Sequence, residues 1–367
     1  MLLGEAQSKA EHIAGVPLLP TVQDHLYQLF LAKGVQATTA IEGNTLSEEQ
    51  VAQRIQGRLE LPPSREYLGR EIDNVVEACN EIGKRVLEGS VGVLSSEELL
   101  RYNALILQGL PVEEEVCPGR FRLHEVGVGR YKGPPPEDVP HLMERLCHWL
   151  EEDFTAPEGH RIAYGILQAV LAHLYLAWIH PFGDGNGRTA RLLEFRLLLA
   201  AGVPAPAAHL LSNHYNQTRA EYYRQLDRAS RSGGDVLPFL EYALRGFVDG
   251  LWEQIRIIQF QQLSVHWTNF LYDRFRGQDS PTGIRRRRLA QALSGHREPV
   301  PTAQVRHLTP QLAEAYAGKT DKTVNRDLNE LERMGILRRT RKGVRARREL
   351  MLAFLPAVRA EGGKGQD

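Results

Sequence analysis

The segment IHPFGDGNGRTAR, Ile179 to Arg191, stands between two long apolar runs, RIAYGILQAVLAHLYLAW before it and LLEFRLLLAAG after it. In the first run Ile162, Ile166, Val170, Leu174 and Ala177 recur at helical spacing, and Leu167, Leu171, Tyr175 and Trp178 widen the stripe. That pattern predicts a centrally buried helix over 159–178. The second run predicts another helix from near Gly187, closed by Gly202 and Pro204. Two core helices therefore flank a connection that holds one histidine, one aspartate, one asparagine, three glycines and two arginines. No folding requirement asks for that set of residues together.

Their chemistry is that of an anion site. Alternating Gly183, Gly185 and Gly187 permit backbone angles and close approaches that side chains obstruct, so that successive N–H groups can face one concavity. The helix that follows adds its unpaired N-terminal N–H groups, and Arg188 and Arg191 add charges suited to phosphate oxygens. Asp184 would repel phosphate unless a divalent cation such as magnesium bridged the two. His180 is suited to take a proton from a hydroxyl near neutral pH, and Asn186 to donate hydrogen bonds as charge develops. The spacing is neither that of a GxxxxGK[ST] loop nor that of a dinucleotide fingerprint.

His180, Pro181, Phe182, Gly183, Asp184, Gly185, Asn186, Gly187, Arg188 and, two residues on, Arg191 resemble without gap or substitution the HPFx[DE]GNGRxxR motif of the Fic/Fido family. Members mostly transfer AMP from ATP to a hydroxyl side chain of a protein. The resemblance implies that His180 is the general base, Asp184 the Mg2+ ligand, and Asn186 with the Gly183, Gly185 and Gly187 backbone the holder of the α- and β-phosphates. Arg188 and Arg191 would take the distal phosphates, and Phe182 would anchor the loop. A related subgroup that transfers phosphate carries lysine in the second half of the loop, and Gly187 departs from it.

Upstream, TTAIEGN (38–44) is similar to the family's inhibitory [ST]xxxE[GN] motif, with Thr38, Glu42 and Gly43 in the defining places. The resemblance implies that Glu42 pairs with Arg191 and blocks the productive pose of ATP, and an acidic group beside phosphate oxygens would repel them on physical grounds as well. Alternating residues in 119–133 resemble the family flap, which docks the target polypeptide by strand addition. Tyr222 and Tyr223 look like the pair that flanks the adenine, although Thr218, not the family's frequent Asn, precedes Arg219.

The wider sequence sets bounds. With 367 residues, 42% hydrophobic, 25% charged and a formal net charge of zero, it describes a folded protein of two or three units, not a disordered chain. Cys79, Cys117 and Cys147, three in number and without a CxxC, argue against a disulfide framework or a thiolate metal cluster. The polar start MLLGEAQSKAEH and the interruption of the longest apolar run by His173 and Tyr175 lead us to expect a cytoplasmic protein without a membrane span. Elsewhere the pattern predicts a helix over 22–33, one over 70–89 and one over 137–153. Ser47 with Gln50 and Ser95 with Glu98 read as capping boxes.

Charge is unevenly spread. From Pro281 to Glu349 seventeen Lys and Arg face seven Asp and Glu, a local +10 balanced by −10 elsewhere. Here a short helix, a turn at Gly318, a second helix over 322–334 and a basic two-strand wing around Gly343 resemble the winged helix-turn-helix that often follows the Fic domain. Lys319, Lys322, Thr323, Asn325 and Arg326 lie where a recognition helix would meet a DNA groove, while Asp327, Glu330 and Glu332 thin the positive surface.

The expected fold is therefore all-α: a Fic-type helical core with a small β-hairpin flap and a C-terminal winged helix-turn-helix. Its expected parts are an N-terminal helical region with the inhibitory helix (1–110), the catalytic core (111–245), a helical linker (246–283), the winged module (284–350) and a flexible tail (351–367). The expected function is AMP transfer from ATP, with Mg2+, to a Ser, Thr or Tyr hydroxyl of a protein docked along 119–133, inhibited by Glu42. A homodimer, and DNA bound through 319–347, are the other partners expected. Two alternatives stay open: removal of AMP with Glu42 activating water, and a DNA-binding regulator that carries a Fic domain.

Overall fold

The computed structural model describes residues 1–128, 131–296 and 298–351. Its chain divides into two compact units, 1–256 and 257–367. Among the described residues the first unit is helical: α1 (Leu2–Gly15), α2 (Pro20–Ile41), α3 (Glu48–Ile55), α4 (Glu66–Leu87), α5 (Ser96–Ile106), α6 (Val139–Glu152), α7 (Arg161–Ile179), α8 (Asn186–Ala200), α9 (Ala205–Ala208), α10 (Leu210–Gln217) and α11 (Arg219–Arg231). A two-residue antiparallel hairpin, β1 (Gly127–Val128) and β2 (Tyr131–Lys132), pairs Gly127 with Lys132 and Val128 with Tyr131. It lies within the expected flap, whose residues 129 and 130 fall outside the described residues.

The two helices around the polar connection form the centre. Gly165 of α7 crosses α8's C-terminal end so closely that a Cβ there would stand 2.1 Å from that of Ala201, which is why glycine serves inside this helix. α8 is buried on all sides from Arg188 to Leu199, although it carries Arg188, Arg191, Glu194 and Arg196. Buried charges persist only when paired, and each of these finds its partner on a different neighbour. Glu71 of α4 takes Arg188, Glu42 at the end of α2 takes Arg191, the Tyr215 hydroxyl of α10 donates to Glu194, and Glu98 of α5 takes Arg196. The charges of α8 thus fix four surrounding elements around one axis. α7 is long and apolar enough to cross a membrane by length and composition, and 67% of its apolar window is buried within the protein.

Local signals held in part. Ser47 and Gln50 form both bonds of a capping box, as the spacing predicts. At α5 only half of one forms: Ser95 accepts from the Glu98 N–H, while the Glu98 carboxylate turns inward to Arg85, Tyr102 and Arg196. The helix expected to stop at Lys33 runs on to Ile41. Gly34 is no terminator, since a Cβ there would meet the His209 ring at 2.3 Å; it is a point of close packing.

α12 (Leu237–Arg274) begins in the first unit and ends in the second, where a linker over 246–283 was expected. In the second unit α13 (Pro281–Ser294), α14 (Pro310–Ala315) and α15 (Asp321–Arg333) are followed by β3 (Leu337–Thr340) and β4 (Gly343–Ala346), which pair in antiparallel register. Its core gathers Trp267, Leu271 and Phe275 with Leu289, Leu328 and Leu331. Gly343 has φ +137°, and a Cβ there would strike the Val300 carbonyl oxygen at 2.1 Å, where Val300 pairs with Val344. The tail beyond Met351 lies outside the described residues.

Candidate active site

α7 ends at His180, the only non-glycine residue with positive φ among the described residues (φ 48°, ψ 59°). A left-handed histidine is uncommon and strained, so its neighbours must hold it. The principal one is Arg122, 3% exposed. Its Nε donates to the His180 carbonyl at 2.8 Å, and its two Nη groups donate to the carbonyls of His124 and Pro134 at 2.8 and 2.7 Å. Its backbone N–H donates to Pro181 O at 3.0 Å. One guanidinium thereby ties both flanks of the hairpin to the turn that aims His180. Tyr131 of β2 adds a second tie, its hydroxyl donating to Trp178 O at 2.6 Å.

Phe182 is buried beneath the turn, 6.0 Å from the Phe121 ring. Asn186 closes the loop on itself. Its Oδ1 accepts from Phe182 N–H at 2.9 Å and its Nδ2 donates to Phe182 O at 2.8 Å, so its side chain shapes the turn while the residue also lines the cleft that His180 lines. Gly185 (φ +79°) caps α8, and Asn103 lies within 2.9 Å of where its Cβ would be. Asn103 itself donates to Asp184 O at 2.9 Å. The Asp184 carboxylate, 45% exposed, accepts from Gly185 N–H at 2.5 Å and from Arg188 Nη2 at 3.1 Å.

Glu42 sits at the end of α2 directly over the start of α8. Its Oε1 accepts from Arg191 Nη2 at 2.5 Å, and a Cβ on Gly187 would lie 2.3 Å from the same oxygen. Arg191, 3% exposed, also donates from Nε to Thr38 Oγ1 at 2.6 Å and from Nη2 to Thr38 O at 2.9 Å. Its Nη1 is buried without an acceptor among the described residues. Burial disfavours the ionised form of Glu42, but Arg191, Arg188 and Arg219 outweigh it and hold its carboxyl below the usual range. Burial also dominates at His180 and holds its imidazole below the ordinary histidine value, so the ring is neutral at pH 7. Gly43 (φ +103°) supplies the turn that follows Glu42.

These groups share one cleft of about 640 Å3, with His180, Glu42, Gly187 and Arg191 in its walls and Tyr131 of the hairpin beside them. That volume suits a nucleotide-sized ligand. Tyr222 and Tyr223 line it too, in unlike ways. Tyr222 is buried, stacked on Tyr215 at 4.7 Å, with its hydroxyl 2.9 Å from His173 Nε2. Tyr223 is 41% exposed with Arg219 over its ring at 5.9 Å, which leaves Tyr223 the better placed to offer a face to a ligand. Gly183 and Arg188 do not reach the cleft wall; Arg188 is buried between Asp184 and Glu71.

Sequence reasoning missed Arg122, Asn103 and Glu71. Glu71 lies on α4, in a stretch that reads only as helical, and nothing in one dimension marks it as buried. Arg122 had a weak signal, as a cation inside the alternating flap stretch.

Comparison with known proteins agrees with this geometry. Residues 93–198 match the model of the Fic/DOC family. The chain is 30% identical over 208 residues to a protein adenylyltransferase Fic of Nematostella vectensis, covering 57% of this chain and 45% of that one. It is 32% identical over 212 residues to protein adenylyltransferase fic-1 of Caenorhabditis elegans, covering 58% and 38%. This chain thus spans less than half the length of those curated relatives. A crystal structure of a Fic family protein from Desulfovibrio desulfuricans superposes with a TM-score of 0.57 over 93% of this chain and 92% of that one, at 24% identity, which speaks to the fold alone. The HPFGDGNGRTAR turn between α7 and α8 lies inside that matched region, so residues 93–198 carry a Fic/DOC-type segment, and the chain is similar over its matched part to known protein adenylyltransferases.

Proposed function

We propose that the chain transfers AMP from ATP to a hydroxyl side chain of a protein, releasing pyrophosphate, and that Glu42 holds it inhibited. The observation that carries the reading is the Glu42 carboxylate on Arg191, lying over Gly187 in the cleft that His180 also lines. The neutral His180 imidazole takes the proton of the target hydroxyl as its oxygen bonds to the α-phosphorus and the bond to the β-phosphate oxygen breaks. Arg191, with its buried unpartnered Nη1, and the N–H groups at the start of α8 receive the charge on the leaving pyrophosphate. Among the described residues no cluster of three His, Cys, Asp or Glu exists to hold a metal. Mg2+ in nucleotide sites needs only one or two carboxylates besides phosphate oxygens and waters, and the half-exposed Asp184 meets that need. Mg2+ so held would neutralise charge shared between the phosphates.

Turnover of ATP should yield pyrophosphate in step with AMP bound to protein. Release of ADP in its place, measured by chromatography of the nucleotide products, would exclude adenylyl transfer.

Removal of AMP is the second reading, favoured by the ionised Glu42 carboxylate lining the same cleft, where it could activate a water. The two readings part on Glu42: its loss releases a transferase and silences a hydrolase.

For the second unit we propose a winged helix-turn-helix, with α15 as its recognition helix and the β3–β4 hairpin as its wing, that binds duplex DNA. Charge placement favours it more than the sequence did. Asp327 is 1% exposed and held by Arg285 and Arg286, each at 2.8 Å. Glu330 takes Arg333 at 2.6 Å and Glu332 takes Arg339 at 3.2 Å. Lys322, Asn325 and Arg326 on α15 and Arg341 and Lys342 at the wing tip are exposed. Binding to a random-sequence duplex, followed by anisotropy, should weaken steeply with salt. Replacing Lys322 and Arg326 together by Ala should lower the salt slope by about 2, at about 0.9 per phosphate contact. Binding insensitive to salt or to these residues would reject the reading.

A further inference from the structure

The adenylyltransferase reading gives Glu71 no role, yet it is among the most constrained carboxylates in the first unit. It is 8% exposed, on α4. Its Oε1 accepts from Arg188 Nη1 at 2.7 Å, and its Oε2 accepts from Asn44 Nδ2 at 2.8 Å. Arg188 is gripped from its other side by Asp184 at 3.1 Å, so two carboxylates fix the plane of its guanidinium. Asn44 is 7% exposed and stands just beyond Glu42, across the left-handed Gly43. Its side chain makes two further bonds: Nδ2 donates to Leu68 O at 3.0 Å, and Oδ1 accepts from Leu46 N–H at 3.0 Å. The turn bearing Glu42 is therefore tied to α4 through Asn44, independently of the Glu42–Arg191 pair.

We propose that Glu71 is a positioning residue with two arms: Oε1 sets Arg188 beside Asp184, and Oε2, through Asn44, latches the turn that keeps Glu42 on Arg191. One carboxylate thus joins the phosphate-binding half of the site to its inhibitory half. The consequence is a route to release that leaves Glu42, Arg191 and His180 unchanged: whatever draws Asn44 away from α4 frees the turn. The inference rests on the reading of the cleft as an ATP site inhibited by Glu42.

The test is calorimetric titration of the full chain with the β,γ-imido analogue of ATP and Mg2+. Variants are Asn44→Ala and Asn44→Asp, each alone and with Glu42→Gly, and Glu71→Gln with Glu42→Gly. Asn44→Asp has nearly the shape of Asn but puts a second carboxylate against Glu71, so it opens the latch even should Asn44→Ala fold poorly. With Glu42 present, both Asn44 variants are expected to bind about tenfold more tightly than the parent, the lower end of what loss of a hydrogen bond to a charged group warrants. With Glu42→Gly they should match their parent within about twofold, because the latch acts only through Glu42. Glu71→Gln in the Glu42→Gly chain should weaken the analogue about fivefold or more by losing the charge that sets Arg188. Asn44 effects of equal size in both backgrounds, or none with Glu42 present, would overturn the latch. Unchanged affinity in Glu71→Gln would overturn the Arg188 arm. Failure of Glu42→Gly itself to tighten binding would refute the ATP-site reading beneath both, and is told apart by being visible before any Asn44 variant is added.

Discussion

Glu42→Gly is expected to bind ATP at least about tenfold more tightly than the wild-type chain and to be less stable without it. Both effects come from one contact. The carboxylate accepts a charge-assisted bond from Arg191 at 2.5 Å, and such bonds contribute about 1.5–3 kcal/mol, or about tenfold to a hundredfold in affinity. While Glu42 stands there, phosphate must displace it, since its oxygen fills the space over Gly187. Removing it leaves Arg191, 3% exposed, with Thr38 as its remaining partner. A buried ion pair broken on one side costs about 3–5 kcal/mol, an upper bound here because Glu42's side chain is 29% exposed. Nucleotide should restore the loss by supplying the missing anion. Thermal unfolding with and without ATP checks this: the variant should melt lower than wild type alone and gain more on adding ATP. Equal gains in the two chains would mean that Glu42 does not compete with phosphate.

The second large effect is expected at His180. In the Glu42→Gly background, His180→Ala should lower AMP transfer by about 10²–10⁴-fold, the usual contribution of a general base, with ATP affinity nearly unchanged. His180→Asn is the companion variant, because Asn tolerates the left-handed backbone that this position adopts (φ 48°). The pH profile gives an independent reading. A base must be deprotonated to act, and burial lowers the His180 pKa. Transfer should therefore persist below the ordinary histidine value of about 6.5 and fall only as pH drops through the depressed pKa. An acid limb at or above that value would place the base elsewhere.

The chemistry of this site is local in sequence, which is why much of it was legible there. His180 to Arg191 is one uninterrupted turn between two core helices, and its glycines, its aspartate and the helix start that follows need no distant chain to bring them together. The box at Ser47 and Gln50 was legible for the same reason. What the sequence hid depends on long-range contacts. Glu98 has the spacing of a capping residue, but the unmet charge of Arg196 inside the core draws its carboxylate inward. Gly34 has the look of a helix end until the His209 ring is set against it. Arg122 and Glu71 are surface-like in sequence and buried in the fold, because only tertiary packing decides which charged side chains must find partners inside. Asp327 reversed its meaning in the same way: counted as a negative charge on a basic surface, it is enclosed by Arg285 and Arg286.

One measurement bears most directly on the central claim. Wild type, Glu42→Gly, and Glu42→Gly with His180→Ala are incubated with α-labelled ATP, Mg2+ and a cell lysate, and AMP on protein is read by mass. The expected result is little adduct with wild type, abundant adduct with Glu42→Gly, and its loss when His180 is also replaced. No adduct with any variant, together with AMP stripped from a modified protein by wild type and not by Glu42→Gly, would contradict the account and make Glu42 the working base of a hydrolase.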